Sequence, residues 1–291
     1  DAVRPATDVT GRGVAVLADL QGPKIRLGRF GNGPVMLEVG ANFTITTDAC
    51  VGDVNRCSTT YAGMAQDVRP EDLLLVDDGK ILLRVDHVDG NDIVTEVLEG
   101  GIVSDNKGIN MPGVGVSVPA LAEKDIDDLR WALRAGTDLV ALSFVRSAAD
   151  IADVHAVMDE VGIRVPVLAK IEKPQAVDNL ADIIAAFDGV MVARGDLGVE
   201  LPIEQVPLVQ KQAISMCRNV GKPVIVATQM LDSMVTARRP TRAEASDVAN
   251  AVLDGTDALM LSAETSVGDH PVTVVEMMAR IIRHVEEQSL T

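Results

Sequence analysis

Short apolar runs alternate with longer stretches whose apolar positions recur at helical spacing through the second half of the chain. The runs Leu139 to Phe144, Val165 to Ile171, Gly189 to Ala193, Pro223 to Ala227 and Ala258 to Ser262 predict buried strands. Between and around them, Glu123 to Ala135, Ala148 to Glu160, Pro174 to Ala186, Pro202 to Val220, Pro240 to Leu253 and Val272 to Glu287 predict amphipathic helices. Strands that are apolar throughout need cover on both faces, which parallel βα units provide. An earlier run, Val14 to Ala18, stops at Asp19-Leu20-Gln21-Gly22-Pro23 and predicts a sixth strand of the same kind.

The rhythm differs from Ile25 to Pro112, where β-branched or alternating runs appear at Val35 to Val39, Phe43 to Thr47, Leu73 to Val76, Ile81 to Val85 and Ile93 to Val97. Gly31-Asn32-Gly33, Asp77-Asp78-Gly79 and Asp89-Gly90-Asn91 separate them, residue types suited to hairpin turns. The division is therefore an α/β domain from 1–22 and 113–291, with an all-β insert over 23–112.

Six parallel strands fit either an open doubly wound sheet or most of an eight-stranded TIM barrel. No Gly-x-Gly-x-x-Gly turn follows the first strand, whereas polar residues end nearly every strand: Asp19, Ser143, Lys170 with Glu172, Asp196, Thr228 and Ser262. In a barrel all of these meet at one mouth, so the pattern favours an N-terminally incomplete TIM barrel carrying a β-barrel insert. A lysine and two carboxylates at neighbouring strand ends suggest a metal-held anion, since unpaired buried charge is costly.

Composition narrows the function classes. Of 291 residues, 47% are apolar, enough for a full core, and 43 acidic against 26 basic residues give a net charge of −17 that disfavours nucleic acid. Cys50, Cys57 and Cys217 lack metal-type spacing and read as reduced thiols. Residues 1–13 lack the apolar core of a signal peptide, and no apolar stretch approaches the ~20 residues of a membrane helix. A cytoplasmic protein with no membrane partner is expected.

The segments Asp19-Leu20-Gln21-Gly22-Pro23-Lys24-Ile25-Arg26, Ser143-Phe144-Val145-Arg146, Lys170-Ile171-Glu172, Ala193-Arg194-Gly195-Asp196-Leu197-Gly198, Ala227-Thr228-Gln229-Met230-Leu231, Pro240-Thr241-Arg242-Ala243-Glu244 and Leu261-Ser262-Ala263-Glu264-Thr265 resemble pyruvate kinase motifs, in that family's order. The resemblance implies transfer of the phosphoryl group of phosphoenolpyruvate to ADP, giving pyruvate and ATP, under a mobile β lid. It implies Glu172 and Asp196 as ligands of Mg²⁺ or Mn²⁺, and Lys170 as the cation facing the migrating phosphoryl group. Thr228 would position the proton donor to the methylene carbon, and the backbone N–H groups of Gly195 and Asp196 would take the substrate carboxylate. Ser262 and Ser143 are weaker candidates for substrate contact. Arg26 and Lys107 would turn to the nucleotide phosphates, while Asp78 either faces the nucleotide or simply forms a hairpin turn. Thr241 and Glu244 fit a helix capping box, and the family implies a homotetramer.

Two departures from the family stand out. Potassium-dependent members resemble Thr-Lys-Gly-Pro-Glu where this chain has Leu20-Gln21-Gly22-Pro23-Lys24, so the Lys24 ammonium, near Asp19, is expected to replace the monovalent cation and make K⁺ unnecessary. The chain also lacks counterparts of the family's first two βα units and of its C-terminal regulatory domain, from which weak activity of this chain alone is expected. The alternatives are a non-catalytic phosphoenolpyruvate-binding homologue and a metal-dependent aldolase or lyase acting on pyruvate enolates.

Overall fold

A computed structural model describes residues 2–77, 79–115 and 119–289; Asp78, weighed above for nucleotide contact, lies outside them. The chain divides into two compact units. One comprises Asp1–Gly22, Ala120–Leu197 and Glu204–Thr291, and the other Pro23–Pro119 with Gly198–Ile203. The expected boundary near Pro112 thus differs from the observed one, and a short segment after Leu197 groups with the insert.

The first unit opens with α1 (Val3–Thr10) and β1 (Leu17–Asp19). The second unit holds β2 (Val35–Leu37), β3 (Asn42–Thr46), β4 (Arg56–Ser58), the helical turn α2 (Met64–Asp67), β5 (Leu73–Val76), β6 (Ile81–Asp89), β7 (Asp92–Glu99), β8 (Gly101–Val103) and β9 (Ile109–Asn110). Six of these strands form one sheet in the order β4-β3-β7-β6-β5-β9, and β2 pairs with β8. Burial alternates residue by residue over Ile81 to Val85 of β6 and along most of β7, because one face of a strand meets the core and the other does not. Phe43, Ile45, Leu74, Leu83 and Ile93 are fully buried there. The pattern in the sequence did not reveal β4, β8 or β9, which are too short to show an alternation.

The rest of the first unit runs α3 (Glu123–Ala135), β10 (Leu139–Leu142), α4 (Ile151–Val161), β11 (Val167–Ile171), α5 (Pro174–Asp178), α6 (Leu180–Ala186), β12 (Gly189–Ala193), α7 (Arg194–Glu200), α8 (Val206–Val220), β13 (Val224–Ala227), α9 (Arg242–Asp254), β14 (Ala258–Leu259), α10 (Ala263–Ser266) and α11 (Pro271–Ser289), with the last residues of α7 in the second unit. Its six strands are all parallel and lie in chain order, β1-β10-β11-β12-β13-β14, as in a TIM barrel. Central β12 is buried at every position, whereas Ala258 on outer β14 is exposed. The expected helix over 174–186 breaks at Asn179 (φ −100°, ψ 16°), whose side-chain amide donates to the Arg146 carbonyl at 2.9 Å.

A repeated device sets the strand register. Asp138, Asp188 and Asp257 each precede a strand, and each accepts a hydrogen bond from an N–H at the start of the preceding neighbour: Val16 (2.6 Å), Val167 (2.8 Å) and Val224 (2.8 Å). Alternation then determines which side chains share a face. Leu17, Leu139, Ala141, Leu168, Met191, Ile225, Ala227 and Met260 pack together on one side of the sheet. Asp19, Ser143 and Lys170 lie two residues beyond Leu17, Ala141 and Leu168, so the same face delivers them to the C-terminal rim.

Candidate active site

At that rim the Lys170 ammonium lies 3.1 Å from Asp19 Oδ1 and 3.0 Å from Glu172 Oε1, and donates to Ser143 Oγ at 2.8 Å. The Ser143 hydroxyl in turn donates to the Leu20 carbonyl at 2.6 Å. Burial opposes the charged form of Lys170, but the Glu172 and Asp19 carboxylates outweigh it, so the ammonium is held above its ordinary pKa. Glu172 is 1% exposed, and its second oxygen, Oε2, accepts the Phe144 backbone N–H at 2.7 Å. Burial raises the Glu172 pKa, Lys170 opposes that shift, and the Asp196 charge adds to it. Burial and the Asp196 charge prevail over Lys170, so the Glu172 carboxyl is held above its ordinary pKa.

Thr228 sits at the end of β13 with a left-handed backbone (φ 70°), followed by Gln229 at φ 53°. Its hydroxyl donates to the Ala227 carbonyl (2.6 Å) and accepts the Gly195 N–H (2.7 Å). The Gly195 amide, expected to face a substrate carboxylate, is therefore engaged by Thr228. A Cβ at position 195 would lie 3.3 Å from Thr228 Oγ1, so glycine permits this close approach. Arg194 supports the turn: Nη1 donates to both oxygens of Asp247 (2.8 and 2.7 Å), and Nη2 to the carbonyls of Thr228 (2.9 Å) and Gln229 (3.3 Å). The non-glycine left-handed residues of this unit, among those described, are Phe144, Thr228 and Gln229, all at strand ends on the rim. Each such residue costs about 1–2 kcal/mol, and strain of this kind collects where a site needs it.

The remaining candidates divide. The Ser262 hydroxyl is buried without a hydrogen-bond partner among the described residues. Its neighbour Glu264, 1% exposed, accepts the N–H groups of Ser262 (2.7 Å) and Leu231 (3.2 Å). Thr241 and Glu244 do form a capping box, and Glu244 also accepts from the Ser233 N–H and hydroxyl at 2.7 and 2.6 Å. In the second unit, Lys107 is paired with Asp77 (2.9 Å), and Arg26 Nη1 donates to the Asn106 carbonyl (3.1 Å). Asp19 sits with Lys170 in the first unit, while Lys24 belongs to the second. The supporting roles of Arg194 and Asp247 were not legible in sequence, because their partners lie on other strands or helices.

Among the described residues no group of three or more His, Cys, Asp or Glu is arranged to hold a metal. Glu172 and Asp196 nevertheless suit a hard divalent cation that keeps waters and takes oxygen ligands from a substrate. The repulsion between buried Glu172 and half-buried Asp196 is what such a cation would relieve.

Comparison with known proteins places these residues in a wider context. The profile of the pyruvate kinase barrel domain matches residues 1–275. The chain is 65% identical over 287 residues to a pyruvate kinase of Mycobacterium tuberculosis, covering 99% of this chain and 61% of that protein. It is 63% identical over 284 residues to one from Corynebacterium glutamicum (98% and 60%), and 46% identical over 288 residues to one from Geobacillus stearothermophilus (98% and 49%). It thus spans about three-fifths of the length of its most similar relatives named here.

Proposed function

Because the chain belongs to the pyruvate kinase barrel family, we propose that it carries the phosphoryl-transfer site of an enzyme converting phosphoenolpyruvate and ADP to pyruvate and ATP. The observation that carries this reading is the Lys170 ammonium, only 12% exposed, gripped by Asp19, Ser143 and Glu172 on a barrel rim. A fixed cation in a water-poor site stabilises charge spread over the equatorial oxygens of a migrating phosphoryl group, and no reorganisation is needed as the reaction proceeds. The phosphoryl group leaves the enol oxygen for the terminal phosphate of ADP, and the enolate is then protonated at its methylene carbon. Thr228, held by its backbone and by Gly195, orders the donor; its hydroxyl is too weak an acid to be the donor itself. Glu172 and Asp196 would hold Mg²⁺ or Mn²⁺, which supplies charge neutralisation between substrate and phosphoryl oxygens.

The finer assignments extend the same reading. Gly195, Asp196 and Ser262 line the substrate position, and Arg26 and Lys107 take the nucleotide phosphates. Lys24 replaces a monovalent cation, so K⁺ is not required. The same reading extends to a cytoplasmic homotetramer. No helix among the described residues is long and apolar enough to cross a membrane.

The test is coupled pyruvate formation with Mg²⁺ in sodium or tetramethylammonium buffer, comparing the native protein with Glu172→Gln. Pyruvate formation that is lost in Glu172→Gln and unchanged by K⁺ is the expected result. Unimpaired turnover in the variant would overturn the site, and strong K⁺ stimulation would overturn the role of Lys24.

A further inference from the structure

We infer that Phe144 is a positioning residue for the carboxylate of Glu172, an inference that rests on the metal-site reading above. Phe144 stands one residue beyond Ser143, where β10 has ended, with a left-handed backbone (φ 55°) that a bulky side chain rarely adopts. Its N–H donates to Glu172 Oε2 at 2.7 Å, while Oε1 meets the Lys170 ammonium at 3.0 Å. A carboxylate held at both oxygens, by the Lys170 side chain on β11 and by a backbone N–H just beyond β10, is restricted in rotation, and its remaining lone pairs favour one direction.

The ring of Phe144 holds this arrangement in place. One contact is Gly22: a Cβ there would fall 2.6 Å from the ring, so the ring packs directly against bare backbone. Gly22 is itself fixed, since its N–H donates to the buried Asp125 carboxylate at 3.0 Å. The other contact is the Lys173 ammonium, 5.5 Å from the ring centroid, within range of a cation–π interaction. Lys173 directly follows Glu172 in sequence, so the ring links the segment bearing the carboxylate to the rim of β1. The left-handed backbone costs stability, and the ring contacts hold it where it is useful.

The test measures Mn²⁺ binding to the full protein by the electron paramagnetic resonance of free Mn²⁺, alongside thermal midpoints, for Phe144→Tyr, Phe144→Leu and Phe144→Gly. Tyrosine keeps the aromatic face and is expected to bind like the native protein. Leucine loses that face, and glycine keeps the N–H but loses the ring; both are expected to bind Mn²⁺ about 10-fold more weakly. Native affinity in either leucine or glycine, or losses in all three that merely follow their thermal midpoints, would overturn the inference. Glu172→Gln separates the two levels of the argument. If it leaves Mn²⁺ binding intact, the metal-site reading fails, whereas if it abolishes binding and Phe144→Leu does not, only the role of Phe144 fails.

Discussion

Arg194 holds both carboxylate oxygens of Asp247 with one guanidinium nitrogen and the carbonyl of Thr228 with the other. Helix α9 thereby fixes the backbone of a strained strand end through a side chain from the neighbouring strand's terminus. Lysine at 194 keeps the charge but cannot span the two targets with a planar fork. Arg194→Lys is expected to cost about 2 kcal/mol of stability, by chemical denaturation, and to lower turnover more than it changes KM for ADP. A variant with native turnover would show that the Thr228 turn holds itself.

Gly22 offers a test of close packing. Its φ of 69° disfavours any side chain, and a Cβ would lie 2.6 Å from the Phe144 ring and 2.9 Å from Ser143 Cβ. Gly22→Ala is expected to destabilise by about 2 kcal/mol or more, and to weaken divalent-cation binding because both neighbours serve the Lys170 and Glu172 cluster. An alanine variant with native stability and metal affinity would show that the rim yields easily.

Glu244 provides a pH dependence. Burial opposes its ionisation, but hydrogen bonds from Ser233 and Thr241 prevail and hold its pKa below the usual 4.5. A lowered folded pKa means that the contribution to stability is complete above the unfolded value and is lost as pH falls through the folded one. Native protein and Glu244→Gln should therefore differ most in thermal midpoint above about pH 5 and converge as pH falls through the lowered folded value. Parallel curves over that range would sink the assignment.

Thiol labelling separates the cysteines. Burial is the leading cause that pushes Cys57 and Cys217 up to about 11, and both are fully buried, whereas Cys50 is partly exposed. At pH 8 each buried thiol is about a thousandth thiolate, so iodoacetamide should modify Cys50 alone in the folded protein, read by mass spectrometry. Rapid alkylation of Cys217 would mean that α8 opens locally.

Much of this architecture was legible in the sequence. The boundaries of β12 and α3 follow the apolar runs, since a strand buried on both faces and a helix capped by Gly136 mark their own ends. The position of Lys170, Glu172 and Thr228 at the ends of β11 and β13 was legible, because each stands where an apolar run stops. Long-range support was not. Nothing near Asp247 signals a partner 53 residues earlier, and nothing in Leu139 to Phe144 signals that the strand stops at Leu142 so that Phe144 can turn its N–H. Short strands such as β9 owe their existence to a neighbour: Asn110 pairs with Leu75.

The aspartates before β10, β12 and β14 work at the opposite ends of the strands from Lys170 and Thr228. Alignment of the sheet is thus settled at its floor, in bonds that no rim residue shares. Chemistry at the top can drift by substitution while the strands below keep their places, so heritable change in what the barrel does need not threaten whether it folds.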